Sequence, residues 1–202
     1  MTIYTIGHST RTLKEFIAIL KAHGIGVLVD IRSYPASRRM RWFQGPQLPP
    51  FMSREEGEAH EALETTLPRL GIGYRWMREL GGRRKKLRDD SPHTALHAPG
   101  FRNYADYMMT PEFRTATCEL LALAEAARTC IMCAEAQVYW HCHRMLVSDY
   151  LTAHGHTVLH ISGTGPAKPH KLTPEARIVG GRIIYDGGQL ELDGPRIEAN
   201  EL

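Results

Sequence analysis

The first thirty-odd residues constrain this chain most. Ile3-Tyr4-Thr5-Ile6 is a short, largely apolar run that ends in Gly7-His8-Ser9-Thr10. A helical pattern follows at once. Thr12 and Glu15 have the spacing of a capping box, Leu13, Phe16, Ile17 and Leu20 make an apolar stripe, and Gly24 is a stop signal. Val27-Leu28-Val29 is then continuously apolar, as in a strand covered on both faces, and it ends in Asp30-Ile31-Arg32-Ser33. A strand, a helix and a second strand in about thirty residues make a parallel pair joined by a right-handed crossover.

The alternation continues. Residues 53–68 are helical in composition, with Ser53 and Glu56 spaced as another capping box, and Gly73-Tyr74-Arg75-Trp76 reads as a third strand. Residues 89–101 look irregular, and Tyr104-Ala105-Asp106-Tyr107-Met108 has the look of one or two helical turns. Thr110 caps a helix with Pro111 in its first turn, running to about Arg128 and burying Phe113, Leu120, Leu121 and Ala124. Thr129-Cys130-Ile131-Met132-Cys133 is a buried strand. From His143 the inward positions Leu146, Val147, Tyr150 and Leu151 trace one face of a helix that stops at Gly155. Thr157-Val158-Leu159-His160-Ile161 is the fifth strand. Gly163, Gly165, Pro166 and Pro169 then read as a linker. Ile178-Val179 and Arg182-Ile183-Ile184-Tyr185 flank Gly180-Gly181 as a hairpin, and a second such turn precedes Gln189-Leu190-Glu191-Leu192. The expected fold is α/β: an open, mostly parallel five-stranded sheet with helices on both faces and a small C-terminal β-hairpin appendage. The expected division is an α/β domain over residues 1–162, with a linker and β-hairpin extension over residues 163–202 packed on the same domain.

Composition narrows the setting. A chain of 202 residues with 23% charged side chains is long enough for one domain with a real core and too apolar for wholesale disorder. Four cysteines without regular pair spacing do not make a disulfide framework, so a reducing, cytoplasmic setting is expected. The N-terminus lacks the charged and apolar regions of a signal peptide, and no run approaches the length of a membrane span. The net charge of +3 is too small to require a nucleic-acid partner, although arginine supplies most of the positive side.

In open parallel sheets, ligands bind outside the carboxyl ends of the strands. That rule gathers Gly7, His8 and Ser9 after the first strand, Asp30 and Arg32 after the second, and Glu135 after the fourth, together with Cys142, His143 and Arg144 on the first turn of the following helix. The catalytic candidates are His8, Glu135, Cys142 and His143. The anion-binding candidates are Gly7, Ser9, Asp30, Arg32, Arg38, Arg39 and Arg144, because guanidinium forks match phosphate and carboxylate geometry and helix N-termini present free N–H groups. Structural alternatives stand beside these. Cys130 and Cys133 suit small core positions, Cys142 suits packing beneath its helix, and Asp30–Arg32 or Glu135–Arg144 suits a buried ion pair. No G-x-S-x-G, P-loop or C-x5-R motif is present.

The chain resembles the domain of unknown function 488 family. The matching pieces are Tyr4-Thr5-Ile6-Gly7-His8-Ser9, Leu28 to Pro35 with Ser37-Arg38-Arg39, Glu79-Leu80-Gly81-Gly82, Tyr104 to Met108, and Cys133-Ala134-Glu135 with Cys142-His143-Arg144. They occur in the family's order across roughly residues 3–161, with the tail only loosely similar. The resemblance implies a single α/β domain in which these motifs line one site. It implies no reaction.

Three function classes follow. The first is an enzyme acting on an anionic, phosphate- or nucleotide-bearing small molecule, with Cys142 as nucleophile on a helix N-terminus, His8 or His143 as base, and Glu135 orienting it. The second is a metal site drawn from His8, Cys133, Glu135, His141, Cys142 and His143, whose spacing matches no standard zinc pattern. The third is a nucleic-acid binder using the cations and aromatics of residues 38–43 and the cations of 83–86; the bland reading of both stretches is a solvated loop. The sequence leaves both the cofactor, if any, and the oligomeric state unknown.

Overall fold

The strand–helix–strand unit is present in the computed structural model, which describes residues 1–35, 63–135 and 142–187. Strand β1 (Thr2–Gly7) leads to helix α1 (Leu13–Ala22), whose N-cap Thr12 and Glu15 exchange the hydrogen bonds of a capping box. Strand β2 (Val27–Asp30) follows. Helix α2 (Leu63–Arg69), strand β3 (Gly73–Trp76), helices α3 (Pro99–Met108) and α4 (Pro111–Ala126), strand β4 (Thr129–Cys133), helix α5 (His143–Ala153) and strand β5 (Thr157–His160) complete the alternation. The sheet order is β3-β2-β4-β1-β5-β6, and its strands are parallel except at one edge.

That edge is the main departure from the five-stranded expectation. Strand β6 (Lys168–Pro169) comes from the stretch read as a linker and pairs antiparallel with β5. Proline suits this position because an edge strand needs its ladder on one side only. Helix α3 also begins earlier than its pattern suggested, since Pro99 opens it and supplies a preset φ on its first turn. The hairpin around Gly180-Gly181 forms as expected between β7 (Ala176–Val179) and β8 (Arg182–Tyr185). Both glycines have positive φ, +54° and +73°, which a tight two-residue turn requires. The helical stretch expected over 53–62 and the strand expected over 189–192 lie outside the described residues.

Strand alternation sends the side chains to two cores. Phe16, Leu20, Leu63 and Leu67 from α1 and α2 pack with Ile6, Leu28, Cys130 and Met132 on one face of the sheet. Tyr104, Phe113, Leu120, Leu146 and Leu151 from α3, α4 and α5 pack with Ile3, Val29 and Ile131 on the other. Helices therefore cover both faces, and all five β4 side chains are buried.

A buried polar chain ties the C-terminal segment to the second face. The Thr5 hydroxyl donates to His160 Nδ1 (2.7 Å), His160 Nε2 donates to His170 Nδ1 (2.9 Å), and His170 Nε2 donates to Asp149 (2.8 Å). Asp149 also accepts from the Thr173 amide (3.0 Å) and the Tyr185 hydroxyl (3.1 Å), so α5, β5, β6 and the hairpin share one carboxylate. Among the described residues no helix is long and apolar enough to cross a membrane.

Candidate functional site

The topology defines where a ligand crevice belongs. β1 and β4 are neighbours in the sheet, yet β1 leads into α1 on one face while β4 leads towards α5 on the other. Their chain paths part at the carboxyl edge, which is the switch point of an open α/β sheet. The backbone stays paired just beyond the strands. The His8 amide donates to the Cys133 carbonyl and the Ser9 amide to the Ala134 carbonyl, each at 3.0 Å. Ser9 holds a φ of +49°, the sole left-handed non-glycine among the described residues, and this conformation turns the chain from β1 towards α1.

On the α1 side of the edge, the end of β2 carries an ion pair. Arg32 donates through Nε to both Asp30 oxygens (2.8 and 3.1 Å) and through Nη2 to Oδ2 (2.5 Å). The Tyr74 hydroxyl donates to the same carboxylate at 2.8 Å, and Trp76 Nε1 donates to the Arg32 carbonyl at 2.9 Å. Burial works against the Arg32 charge, but the Asp30 carboxylate more than offsets it and holds the guanidinium above its ordinary pKa. Of the anion-binding candidates, Asp30 is thus the partner that fixes Arg32. The remaining Arg32 nitrogen, Nη1, lies 3.4 Å from His8 Nε2. His8 Nδ1 donates to the Ser9 carbonyl (3.0 Å), which leaves Nε2 as the acceptor. Burial, then the Arg32 charge, lowers the His8 pKa to about 4, so its imidazole is neutral at pH 7.

On the α5 side, His143 reaches back to the same strand end. Its Nε2 donates to the Ile31 carbonyl at 2.9 Å, which fixes the tautomer and leaves Nδ1 as the acceptor, 3.8 Å from Cys142 Sγ. Burial and then the neighbouring Arg144 and Arg84 charges lower its pKa to about 4. Cys142 is the N-cap of α5 and accepts from the Arg144 amide at 3.4 Å. Its sulfur also lies 2.9 Å from Cys133 Sγ. That contact, with burial, pushes the Cys142 thiol up, and the same contact holds Cys133 down against its own burial. The contact thus opposes the thiolate at Cys142 and favours it at Cys133. Arg144 is only 2% exposed and donates through Nη2 to the Glu135 carbonyl at 3.3 Å. Glu135 makes this contact with its backbone, while its side chain is exposed.

The edge thus brings together Gly7, His8, Ser9, Asp30, Arg32, Cys142, His143 and Arg144. Arg38, Arg39 and His141 lie outside the described residues, as does the 38–43 stretch. Among the described residues no group of three or more His, Cys, Asp or Glu side chains is placed to hold a metal ion.

Several participants were missed in the sequence. Arg11 donates to the Gly7 carbonyl and, at 2.8 Å, to the Ser162 carbonyl, bridging the ends of β1 and β5. Burial and then the Arg144 charge lower its pKa, so its guanidinium lies within the field of Arg144. Gly81-Gly82 supplies space: a Cβ on Gly81 would meet Ser33 Cα at 2.7 Å, and one on Gly82 would meet His143 Nδ1 at 2.5 Å. Tyr104 packs edge-on to His143 and donates to the Leu80 carbonyl at 2.7 Å. A glycine pair ahead of a cationic run was the available signal, but it pointed to the cations. Two of those cations are engaged within the protein. Arg84 donates to the Arg78 and Glu79 carbonyls and lies over the Tyr107 ring at 3.8 Å, and Lys86 pairs with Asp89.

Among known proteins, the model of a family described as "Domain of unknown function DUF488" matches residues 12–151, well over half of the chain. No curated protein and no solved structure matches.

Proposed function

This chain belongs to the domain of unknown function DUF488 family, and we propose that it binds a phosphate-bearing small molecule in the crevice between the carboxyl ends of β1 and β4. One observation carries the reading: Arg11, held on the Gly7 and Ser162 carbonyls, and Arg144, held on the Glu135 carbonyl, bring two positive charges to the switch point, beside a third guanidinium already balanced by Asp30. Like charges gathered in a partly buried setting oppose each other, and an anion between them relieves this. Arg144 and Arg11 supply the net positive charge, while Arg32 presents a fixed edge beside His8. Arg38 and Arg39 belong to the same proposal as further anion ligands.

His8 is the proton acceptor in this reading. Its Nε2 is unprotonated and its orientation is set by the Ser9 carbonyl. A bound phosphate raises the imidazole pKa from about 4 back towards neutrality, because an adjacent negative charge favours the protonated form. The bound anion thereby tunes the group for general acid–base work near pH 7. His143, closed in by Gly82 and Tyr104, positions the β2 end.

The test is calorimetric titration with inorganic phosphate, pyrophosphate and mononucleotides, comparing the wild type with Arg11→Ala. Loss of a charge-assisted hydrogen bond weakens binding by about 10- to 100-fold. Equal affinities for the two proteins refute the site. Salt-steep binding of single-stranded oligonucleotide that is lost in an Arg83→Ala, Lys85→Ala variant supports the nucleic-acid class instead.

A further inference from the structure

We infer that Cys133 and Cys142 are a redox pair, which closes reversibly into a disulfide joining the end of β4 to the first turn of α5. This goes beyond the anion site and does not depend on it. All four cysteines are free thiols in this structure. The two sulfurs lie 2.9 Å apart, within about 1 Å of the bonded separation of ~2.05 Å. Two different elements hold them there: Cys133 is the last residue of β4, and Cys142 is the N-cap of α5. Cys130, three residues before Cys133, packs on the opposite face of the sheet and takes no part. The contact also divides the labour. Either sulfur can donate in this contact, and with Cys142 as donor it holds Cys133 towards the thiolate, the form that attacks.

The oxidant is a hydroperoxide, small enough to reach two cysteines that are 1% and 4% exposed. The Cys133 thiolate attacks one peroxide oxygen. The O–O bond breaks, Cys133 becomes a sulfenic acid, and the departing hydroxide takes a proton to become water. Cys142 sulfur then attacks the Cys133 sulfur. The S–S bond forms, the S–O bond breaks, and the leaving hydroxide takes the Cys142 proton as a second water. Two thiols lose two electrons in all, and the peroxide gains them. A small dithiol reverses the reaction by exchange.

The experiment uses the full chain carrying Cys118→Ala, which removes the exposed thiol that promotes crosslinking between molecules. After treatment with hydrogen peroxide, the protein is alkylated under denaturing conditions, cleaved with trypsin and weighed. Both cysteines fall in one peptide, residues 129–144. The expected product is that peptide lighter by two hydrogens and alkylated only at Cys130, restored by dithiothreitol. A second variant, Cys142→Ser, keeps a good N-cap and strands the intermediate. Dimedone then labels Cys133, whereas in the protein with Cys142 intact the label falls at least tenfold because the sulfenic acid is resolved. The inference is overturned if peroxide leaves both thiols fully alkylatable, or if it takes Cys133 to sulfinic acid at the same rate with and without Cys142.

Discussion

Gly82→Ala probes the packing of the candidate site without altering any charge. The added Cβ would stand 2.5 Å from His143 Nδ1 and 2.6 Å from Cγ, atoms of a rigid ring that cannot fold away. The imidazole is closed from another side by the Tyr104 ring, with centroids 5.5 Å apart, and its Nε2 is committed to the Ile31 carbonyl. Relief therefore requires a shift of the ring, which breaks that hydrogen bond, or a shift of the 81–83 backbone away from Ser33. Overpacking costs typically 1–3 kcal/mol and a lost hydrogen bond about 1 kcal/mol. Reduced freedom of the unfolded chain returns about 0.4–1 kcal/mol. The net expectation is a loss of roughly 1–3 kcal/mol, read as a lower urea midpoint at unchanged slope. Gly163→Ala is the control. Nothing lies within 4 Å of its Cβ and its backbone is not left-handed, so that variant should match or slightly exceed the wild type. Wild-type stability in Gly82→Ala, with unmoved His143 ring resonances, would refute the packing argument.

Three other outcomes follow from the same geometry. Asp30→Asn should destabilise by about 3–5 kcal/mol, because it leaves the Arg32 guanidinium buried without its carboxylate; urea unfolding measures it, and a change under 1 kcal/mol would contradict the ion pair's role. Arg32→Lys keeps the charge but not the fork on Asp30, so it should weaken phosphate binding in calorimetry, and full retention would show that the fork is dispensable. Stability should fall with acid. His8 and His143 are lowered to about 4 and His160 to about 3, so the unfolded chain, titrating near 6.5, binds more protons than the folded one as pH drops below that value. Each contributes a loss of roughly 2 kcal/mol between pH 7 and pH 5, and a urea midpoint that is flat across that interval would contradict their burial.

The parts of the fold legible in the sequence are those whose causes are local. The Thr12–Glu15 capping box, the Thr110–Pro111 helix start and the Gly180-Gly181 turn each act within a few residues, and each stands where its pattern placed it. Helical period finds Leu146, Val147 and Leu151 of α5, but His143 and Tyr150 are only half-buried and Met145, Ser148 and Asp149 are buried off that stripe. What escaped depends on contacts across the fold. Pro169 reads as a linker until β5 is seen to offer an edge. The histidines of the Asp149 chain carry no spacing signal, because β5, β6 and α5 meet only in the folded sheet. Arg11 carries no local signal in the β1–α1 turn, because its charge meets that of Arg144 only across the folded sheet edge. The Cys133–Cys142 contact likewise required knowing that α5 starts directly over the end of β4.

The most direct measurement of the anion site is anomalous diffraction from crystals soaked in tungstate, an oxyanion of phosphate shape. The predicted result is one strong peak within hydrogen-bond reach of Arg11 and Arg144 at the carboxyl ends of β1 and β4, beside His8, and its loss in Arg11→Ala crystals. Peaks confined to the Arg83–Lys86 surface, with the crevice empty at a tungstate concentration that saturates binding in solution, would contradict it.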